Sequence, residues 1–195
     1  MKTLETLEEN FWEATTAEPR DEECIAAVCR EFLAHPEAAS YFNLPMVLEE
    51  FINACISLNR YDDAIAAVEQ AIADGLESQP DPRHLISGLL LQAGRAEEAH
   101  ALYAAIRADT PDDVWLYNAA ALDYLDFGDQ ARALAWLTDG LALALRTADR
   151  DGLAEQLSQH RSETRAALGL PPDGLQREAE SRLARSRSRQ PRRKR

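Results

Sequence analysis

The side chains that could take part in catalysis or bind a metal are scattered along this sequence. Their spacings do not match those that catalysis or metal binding requires. None of the four histidines pairs with a cysteine or a second histidine at metal-ligand spacing. Cys24 and Cys29 would lie about 140° apart around a helix, so one helix could not hold a metal with both. No glycine-rich phosphate loop, metalloprotease helix motif or hydrolase elbow occurs. We therefore expect no catalytic site, no metal and no cofactor, and we interpret the two cysteines as small buried apolar side chains.

Acidic residues cluster locally but do not form a calcium loop. Asp123, Asp126 and Asp129 form one such set, yet the alternating oxygen ligands and the distal glutamate of a calcium loop are missing. The pairs Asp62-Asp63 and Asp112-Asp113 precede or open predicted helices, where negative charge suits the positive end of the helix dipole. We interpret these aspartates as helix caps and solvated surface.

Three similar segments of the sequence are predicted turns. They mark the ends of the helices that carry the residues described above. Gly or Asn ends a helix by accepting a left-handed conformation, and a small residue soon afterwards lets two helices approach closely. Ala64 and Ala99 are 35 residues apart, and Ala99 and Ala133 are 34 apart. The spacing predicts helices over 45–58, 82–92 and 114–127, each followed by a turn and a second helix. The turns are Asn59-Arg60-Tyr61-Asp62-Asp63-Ala64, Gly94-Arg95-Ala96-Glu97-Glu98-Ala99 and Gly128-Asp129-Gln130-Ala131-Arg132-Ala133.

The period and these residue types resemble the tetratricopeptide repeat (TPR) of bacterial proteins. Residues 80–113 match through Leu90, Gly94, Ala99, Tyr103 and Pro111, and residues 114–147 match through Tyr117, Ala121, Tyr124, Gly128 and Ala133. The match of 45–78 is weaker, because Ile52 replaces a small residue and Leu76 replaces the closing proline. The resemblance implies an all-α fold, an α-solenoid of antiparallel helix pairs in a TPR-like right-handed superhelix with a C-terminal capping helix. Another kind of α-solenoid is the alternative.

The chain divides by this pattern into four regions. Residues 1–44 contain predicted helices over 3–15 and 20–34, which are a candidate for a divergent first repeat. Residues 45–147 hold the three TPR-like repeats, and 148–170 hold the capping helix, which gives such an array a polar end. Residues 171–195 form a basic tail, which we expect to be disordered apart from a short helix over 175–183.

Charge is distributed unevenly along the chain. The net charge of −13 combines a body, residues 1–172, of −19 with a tail, residues 173–195, of +6. An acidic body disfavours nucleic acid as the main partner, because phosphates would be repelled over most of its surface. The sequence leaves three roles open for the arginine-rich end, 185–195: weak nucleic-acid contact, docking on the acidic body of its own or another chain, or a solvated linker.

The sequence also gives an expectation about location. Its N-terminus lacks the basic-then-apolar pattern of a signal peptide, and no run of about 18 apolar residues exists. Three cysteines are an odd number for a disulfide framework. We expect a cytoplasmic protein with reduced thiols and no membrane partner.

The TPR resemblance implies a concave groove that takes a peptide or a helix. The lysine positions of the chaperone-binding clamp hold Glu49, His84 and Asn118 here, and only Asn53 matches that clamp. We therefore expect a protein–protein interaction scaffold, not an enzyme, whose partner presents apolar residues flanked by Lys or Arg. The alternative is a self-assembling regulatory or structural subunit, a homo-oligomer whose basic tail docks on the acidic body. The candidate groove residues are Met46, Glu49, Asn53, Ile56, His84, Leu91, Trp115, Asn118 and Leu122.

Overall fold

A computed structural model describes residues 2–38 and 43–189 of the chain. Within these residues the protein is all-helical, with ten α-helices and no strand. The helices predicted over 45–58, 82–92 and 114–127 correspond to the third, fifth and seventh of them. In chain order the helices are α1 (Leu4–Thr16), α2 (Glu22–Leu33), α3 (Leu44–Ser57), α4 (Tyr61–Ala73), α5 (Arg83–Gln92), α6 (Ala96–Asp109), α7 (Val114–Phe127), α8 (Gln130–Arg146), α9 (Ala154–Ala167) and α10 (Gly174–Arg189).

The chain divides into two compact units. The first unit comprises Met1–Ser78 and Leu85–Leu102. The second unit comprises Gln79–His84 and Tyr103–Arg195. Helices α1 to α4 therefore belong to the first unit and α7 to α10 to the second, while the boundaries fall within α5 and α6.

The three predicted turns share one local geometry. The residue at the turn has a positive φ, which is 57° at Asn59, 76° at Gly94 and 86° at Gly128. The next backbone N–H donates to the carbonyl oxygen five residues earlier, which closes the end of the preceding helix. These bonds run from Arg60 to Cys55 (2.7 Å), from Arg95 to Leu90 (2.8 Å) and from Asp129 to Tyr124 (2.8 Å). The residues predicted to end a helix do so at all three positions.

The helix after each turn buries the small residue predicted near its start. Ala64, Ala99 and Ala133 are all fully buried. The larger side chains one turn further along are fully buried as well. They are Val68, Tyr103 and Leu137. The pattern that revealed the three-fold repeat in the sequence is therefore a pattern of core positions.

The first unit is built from consecutive helices, since α1 packs on α2, α2 on α3 and α3 on α4. The buried rings of Phe11 and Phe32 lie 6.5 Å apart at its N-terminal end. On its surface, the arginine that follows a turn binds a carboxylate of an earlier helix. Arg60 pairs with Glu23 at 3.1 Å, and Arg95 pairs with Asp62 at 2.9 Å. Such exposed pairs contribute little stability each, so the apolar core holds this unit together.

In the second unit α7 packs on α8, α8 on α9, and α10 on both α8 and α9. Gly140 marks a close approach of α8 to α7, because a Cβ added there would lie 2.7 Å from Cβ of Tyr117. Buried residues of α7, α8, α9 and α10 form one apolar cluster. It contains Val114, Tyr117, Ala121, Leu137, Leu141, Leu143, Ala144, Leu145, Leu153, Ala154, Leu157 and Ala179.

Helix α10 differs from the predicted tail. It continues to Arg189, whereas the sequence predicted disorder after a short helix at 175–183. Ala179 is fully buried, and Leu175 and Leu183 pack against the cluster. Their four-residue spacing gives one apolar stripe, which buries enough surface to order the helix. Residues 190–195, the rest of the predicted disordered segment, lie outside the described residues.

A buried polar network joins α10 to the two helices beneath it. Arg161 of α9 is 2% exposed and donates to Oγ1 of Thr138 at 3.0 Å and to both carboxylate oxygens of Asp173 at 3.0 and 2.6 Å. Its Nη1 also donates to Oε1 of Gln176 at 3.2 Å, and Nε2 of Gln176 donates to Oγ of Ser158 at 3.0 Å. Each partner satisfies a group that would otherwise be buried without a hydrogen bond.

Candidate peptide-binding face

Helix α7 of the second unit is fixed at both ends by its own sequence. The Asp113 carboxylate accepts a hydrogen bond from the backbone N–H of Trp115 at 3.1 Å and another from Nε2 of Gln79 at 3.2 Å. Gly128 ends the helix in a left-handed conformation. The hydroxyl of Tyr117 donates to the carbonyl oxygen of Pro111 at 2.9 Å. Side chains along α7 therefore start from a well-defined backbone position.

Much of the α7 surface is buried, and some of its accessible residues form a line along one face. Trp115 is 38% exposed, Ala119 and Leu122 are half-buried, and Asp126 is exposed. Spacings of four, three and four residues place these positions on one face of the helix. We call these four residues the α7 strip. It combines an exposed indole and an aliphatic side chain with a carboxylate at its C-terminal end.

Asn118 lies beside the α7 strip, three residues after Trp115 and four before Leu122. It is only 6% exposed, and its Oδ1 has no hydrogen-bond partner among the described residues. A buried acceptor without a donor costs about 1–3 kcal/mol. A polar group in this condition needs an explanation, and a ligand that supplies the missing donor is one.

A cluster of aromatic rings lies around α7. The ring of Tyr103 lies 5.7 Å from that of Tyr124 and 5.6 Å from that of Trp136. Tyr117 and Trp136 lie 5.4 Å apart, and the guanidinium of Arg107 stacks over both rings at 5.2 and 5.4 Å. These contacts between α6, α7 and α8 are favourable beyond the apolar area that they bury, so they hold α7 in place.

Asp123 is in contact with this cluster. Its Oδ2 accepts a hydrogen bond from the buried hydroxyl of Tyr103. Burial raises the pKa of Asp123 to about 6; the Tyr103 hydrogen bond opposes this shift and the nearby Asp126 adds to it. The sequence suggested a helix cap or solvated surface for Asp123, but the side chain is half-buried. Tyr103 and Asp123 are twenty positions apart, and no motif in the sequence predicts their contact.

His84 lies in the second unit with α7. It is half-buried, and its Nδ1 lies 2.9 Å from the carbonyl oxygen of Asp81. Burial lowers its pKa, although the charges of Asp81 and Asp113 act in the opposite direction. His84 is therefore largely neutral at pH 7 and adds no positive charge to the acidic surroundings of α7.

The other predicted groove residues belong to the first unit. On α3, Glu49 and Asn53 are exposed, and Met46 and Ile56 are half-buried. Their spacings of three, four and three residues place them on one face of that helix. Leu91 of α5 is 1% exposed, so its side chain packs in the interior and offers no surface to a ligand.

The remaining candidates for chemistry are distributed as follows. No group of three or more His, Cys, Asp or Glu side chains within residues 2–38 and 43–189 could hold a metal ion. Cys29 and Cys55 are buried free thiols, and burial raises the pKa of Cys29 to about 12. Cys24 is exposed, contrary to the sequence-based interpretation, because it lies on the opposite side of α2 from the buried Cys29.

Comparison with protein-family models, with curated proteins and with solved structures finds no match for this chain. None of the described helices is both long enough and apolar enough to cross a membrane.

Proposed function

We propose that this protein is an interaction scaffold and that the α7 strip binds a peptide or a helix of a partner protein. The helix pairs α3–α4, α5–α6 and α7–α8 would be TPR-like repeats, and their stacking into a right-handed solenoid stays a prediction. The observation that carries the proposal is the unpartnered Oδ1 of Asn118 beside the exposed Trp115. Because that oxygen is buried, the Asn118 side chain would turn outward to accept a backbone N–H from an extended peptide, while an apolar side chain of the peptide covers the indole.

The charges around α7 favour a basic ligand. Asp123 and Asp126 form no ion pair with any described residue, whereas Asp139 of the neighbouring α8 is paired with Arg107 at 2.9 Å. A carboxylate half-buried beside aromatic rings attracts a cation more strongly than one in water. We expect the ligand to place a Lys or Arg near Asp123 and an apolar side chain on Trp115 and Leu122.

The four α3 residues stay candidates for a second, separate binding face in the first unit. Glu49 there would favour the same basic chemistry, and Asn53 could bond a peptide backbone. No orphaned buried acceptor among the described residues of α3 supports that face, so α7 is the stronger candidate.

Selection from a random peptide library on the purified full chain tests this proposal. We expect enriched sequences to combine a large apolar residue with Lys or Arg, and to be lost on Trp115→Ala. Phe127→Ala is the matched control, since this ring is 43% exposed on the same helix but lies off the strip. Enrichment that is insensitive to Trp115→Ala, or of acidic peptides, would overturn the proposal.

A further inference from the structure

A cavity of about 310 Å³ lies among α2, α3 and α4, within the first unit. This volume is near the lower end of the range of small-molecule sites, which is about 300–1,000 Å³. Eight of the twelve described residues that line it are apolar, and the other four are Arg30, Asp63, Gln70 and Asp74. An apolar cavity with a few polar groups is the usual composition of a site for a small ligand. We call it the α4 cavity.

Helix α4 lines this cavity with one face. Ala66, Ala67 and Ala71 lie on that face between Asp63 and Asp74, at intervals of three and four residues that keep them on one side of the helix. The face is about 16 Å long from end to end, at about 1.5 Å per residue. Because its middle residues are alanines, no large side chain of α4 fills the space in front of them. The cavity is therefore elongated, with a carboxylate at each end of one wall.

The charge at the Asp63 end is already neutralised within the protein. Nη2 of Arg30 donates to Oδ2 of Asp63 at 2.9 Å, and the Arg30 guanidinium lies 5.6 Å from the centre of the Phe51 ring. Asp63 also accepts a hydrogen bond from Arg60 at 2.6 Å. Arg30 is the only basic residue among the described residues that line the cavity. An anionic ligand would therefore find no cation here that is free of a carboxylate.

Asp74 lies at the other end and has a different environment. Its Oδ1 accepts a hydrogen bond from Nε2 of Gln70 at 3.0 Å, and it forms no ion pair with a described residue. Asp63 is in the first turn of α4, where the helix dipole favours a carboxylate, whereas Asp74 caps the C-terminus, where the dipole is negative. The carboxylate and the dipole act together there, so this end of the cavity favours a positive charge.

We propose that the α4 cavity binds a small organic cation, a primary amine on an elongated apolar body. The ammonium group donates to the carboxylate of Asp74 and to Oε1 of Gln70, and the apolar body lies along Ala67 toward Phe51. A carboxylic acid of the same shape is repelled by Asp74, and a neutral compound gains no ion pair. The site lies wholly within the first unit and does not depend on peptide binding by the α7 strip.

Three compounds of nearly the same shape but different charge test the proposal. They are phenylbutylamine, phenylbutanol and phenylbutyrate. NMR titration of the isotope-labelled full chain measures the Kd of each compound and identifies the backbone amides that shift. We expect the amine to bind saturably, with a Kd of about 1 mM or lower for a ligand of this size, and to shift the amides of Ala66 and Ala67. The alcohol should bind about threefold more weakly and the acid more weakly still, as expected for one exposed ion pair. Equal Kd values for the three compounds, or shifts confined to residues outside the cavity, would overturn the proposal.

The role of Asp74 is tested by Asp74→Asn. This variant should bind the amine and the alcohol with nearly equal Kd values, because the ion pair is lost while the apolar contacts stay. Glu69→Gln is the matched control, since it removes one charge from an exposed position of the same helix outside the lining. The control should keep the preference for the amine. A preference that survives Asp74→Asn, or that falls equally in both variants, would contradict an ammonium site at Asp74.

The position of the apolar body is tested by Ala67→Leu, which fills the cavity from the α4 side. We expect this variant to weaken binding of the amine and of the alcohol at least tenfold, because the added atoms occupy the space of the ligand. Ala73→Leu adds the same atoms to α4 at an exposed position outside the lining and should leave both Kd values within about twofold. Far-UV circular dichroism verifies that each variant is folded. Unchanged amine binding by folded Ala67→Leu would place the ligand elsewhere and refute the proposal. If Ala67→Leu does not fold, the comparison of Asp74→Asn with Glu69→Gln decides.

Discussion

The guanidinium of Arg161 donates one hydrogen bond to each carboxylate oxygen of Asp173, at 3.0 and 2.6 Å. Asp173 also accepts from the backbone N–H of Gln176 at 3.0 Å and so caps the first turn of α10. One side chain therefore neutralises a buried cation and begins the last helix. This contact, together with the apolar stripe that includes Ala179, holds α10 in place although its sequence is mostly polar.

Asp173→Asn should destabilise the protein by about 1.5–3 kcal/mol, since it removes the charge from hydrogen bonds to a buried guanidinium. The lower part of this range is expected, because the Asp173 side chain is 37% exposed and water screens the pair. Urea denaturation measures the change. Asp112→Asn is the control, since that side chain is 82% exposed, and it should leave the midpoint nearly unchanged.

The same pair predicts an acid dependence. Hydrogen bonding to Arg161 holds the pKa of Asp173 well below its usual range. A carboxyl whose folded-state pKa is depressed contributes stability above its unfolded pKa of about 3.9 and loses it as the pH falls further. The difference in the free energy of unfolding between the unaltered chain and Asp173→Asn should therefore be greatest at pH 7 and should shrink below about pH 4. A constant difference across this range would contradict the ionic role.

Gly140→Ala should destabilise the protein by about 1–3 kcal/mol, although Ala is ordinarily the better helix former. The added Cβ would lie 2.7 Å from Cβ of Tyr117 and 3.3 Å from Cδ2 of Leu157, so α7 or α9 must shift. Gly174→Ala is the matched control, because no atom lies within 4 Å of a Cβ added there. Thermal unfolding measures both variants. Gly140→Ala should lower the midpoint temperature, and Gly174→Ala should raise it or leave it unchanged.

Asp123→Asn should stabilise the protein at neutral pH. The pKa of Asp123 is raised to about 6, so the folded state favours the protonated carboxyl. The contribution of this carboxyl to the free energy of unfolding is complete below about pH 4 and is lost as the pH rises through 6. An amide does not ionise and so avoids this loss of stability. The free energy of unfolding of the variant should therefore exceed that of the unaltered chain by on the order of 2 kcal/mol at pH 7 and by nothing near pH 4. Asp126→Asn, at an exposed position, should show a much smaller gain in the same urea titrations.

Asn118→Leu should also stabilise the free protein, by about 1 kcal/mol, because it removes a buried acceptor that has no donor. Both side chains branch at Cγ and have four heavy atoms, so Leu can take the same orientation beside Leu122, and the bulk of its methyl groups keeps the expected gain small. Unfolding of the unligated chain in urea measures the effect. A clear loss of stability would mean that Asn118 is satisfied in solution, by water for example, and would remove the main support for a ligand at this position.

Local residue type explains how far the sequence predicts the fold. Asn59, Gly94 and Gly128 are residues that tolerate a positive φ, and the small residues five positions later are buried in every case. Turn chemistry and a 34–35-residue period were therefore enough to predict the helices on either side. The α7 candidates Trp115 and Leu122 followed from helical spacing within those bounds.

Contacts between distant positions account for what the sequence did not predict. Helix α10 depends on Arg161 and Asp173, twelve residues apart, and on a sparse stripe that includes Ala179. Leu91 was assigned to a groove by register, but α5 is buried over Ile86–Leu91, on every side of the helix. The raised pKa of Asp123 likewise comes from burial in the folded chain, against the hydrogen bond from Tyr103 of another helix, so the sequence alone does not reveal it.

The affinity of a selected basic peptide for the unaltered chain and for Trp115→Ala, measured by titration calorimetry, tests the central claim most directly. A tryptophan at the centre of an interface contributes about 2 kcal/mol or more, so the Kd should rise about thirtyfold. Asn118→Leu should also weaken binding while it stabilises the fold, and Phe127→Ala should leave the Kd within about twofold, as expected for a position outside the contact. A Kd that Trp115→Ala and Asn118→Leu leave unchanged would contradict the assignment of the α7 strip as the binding face.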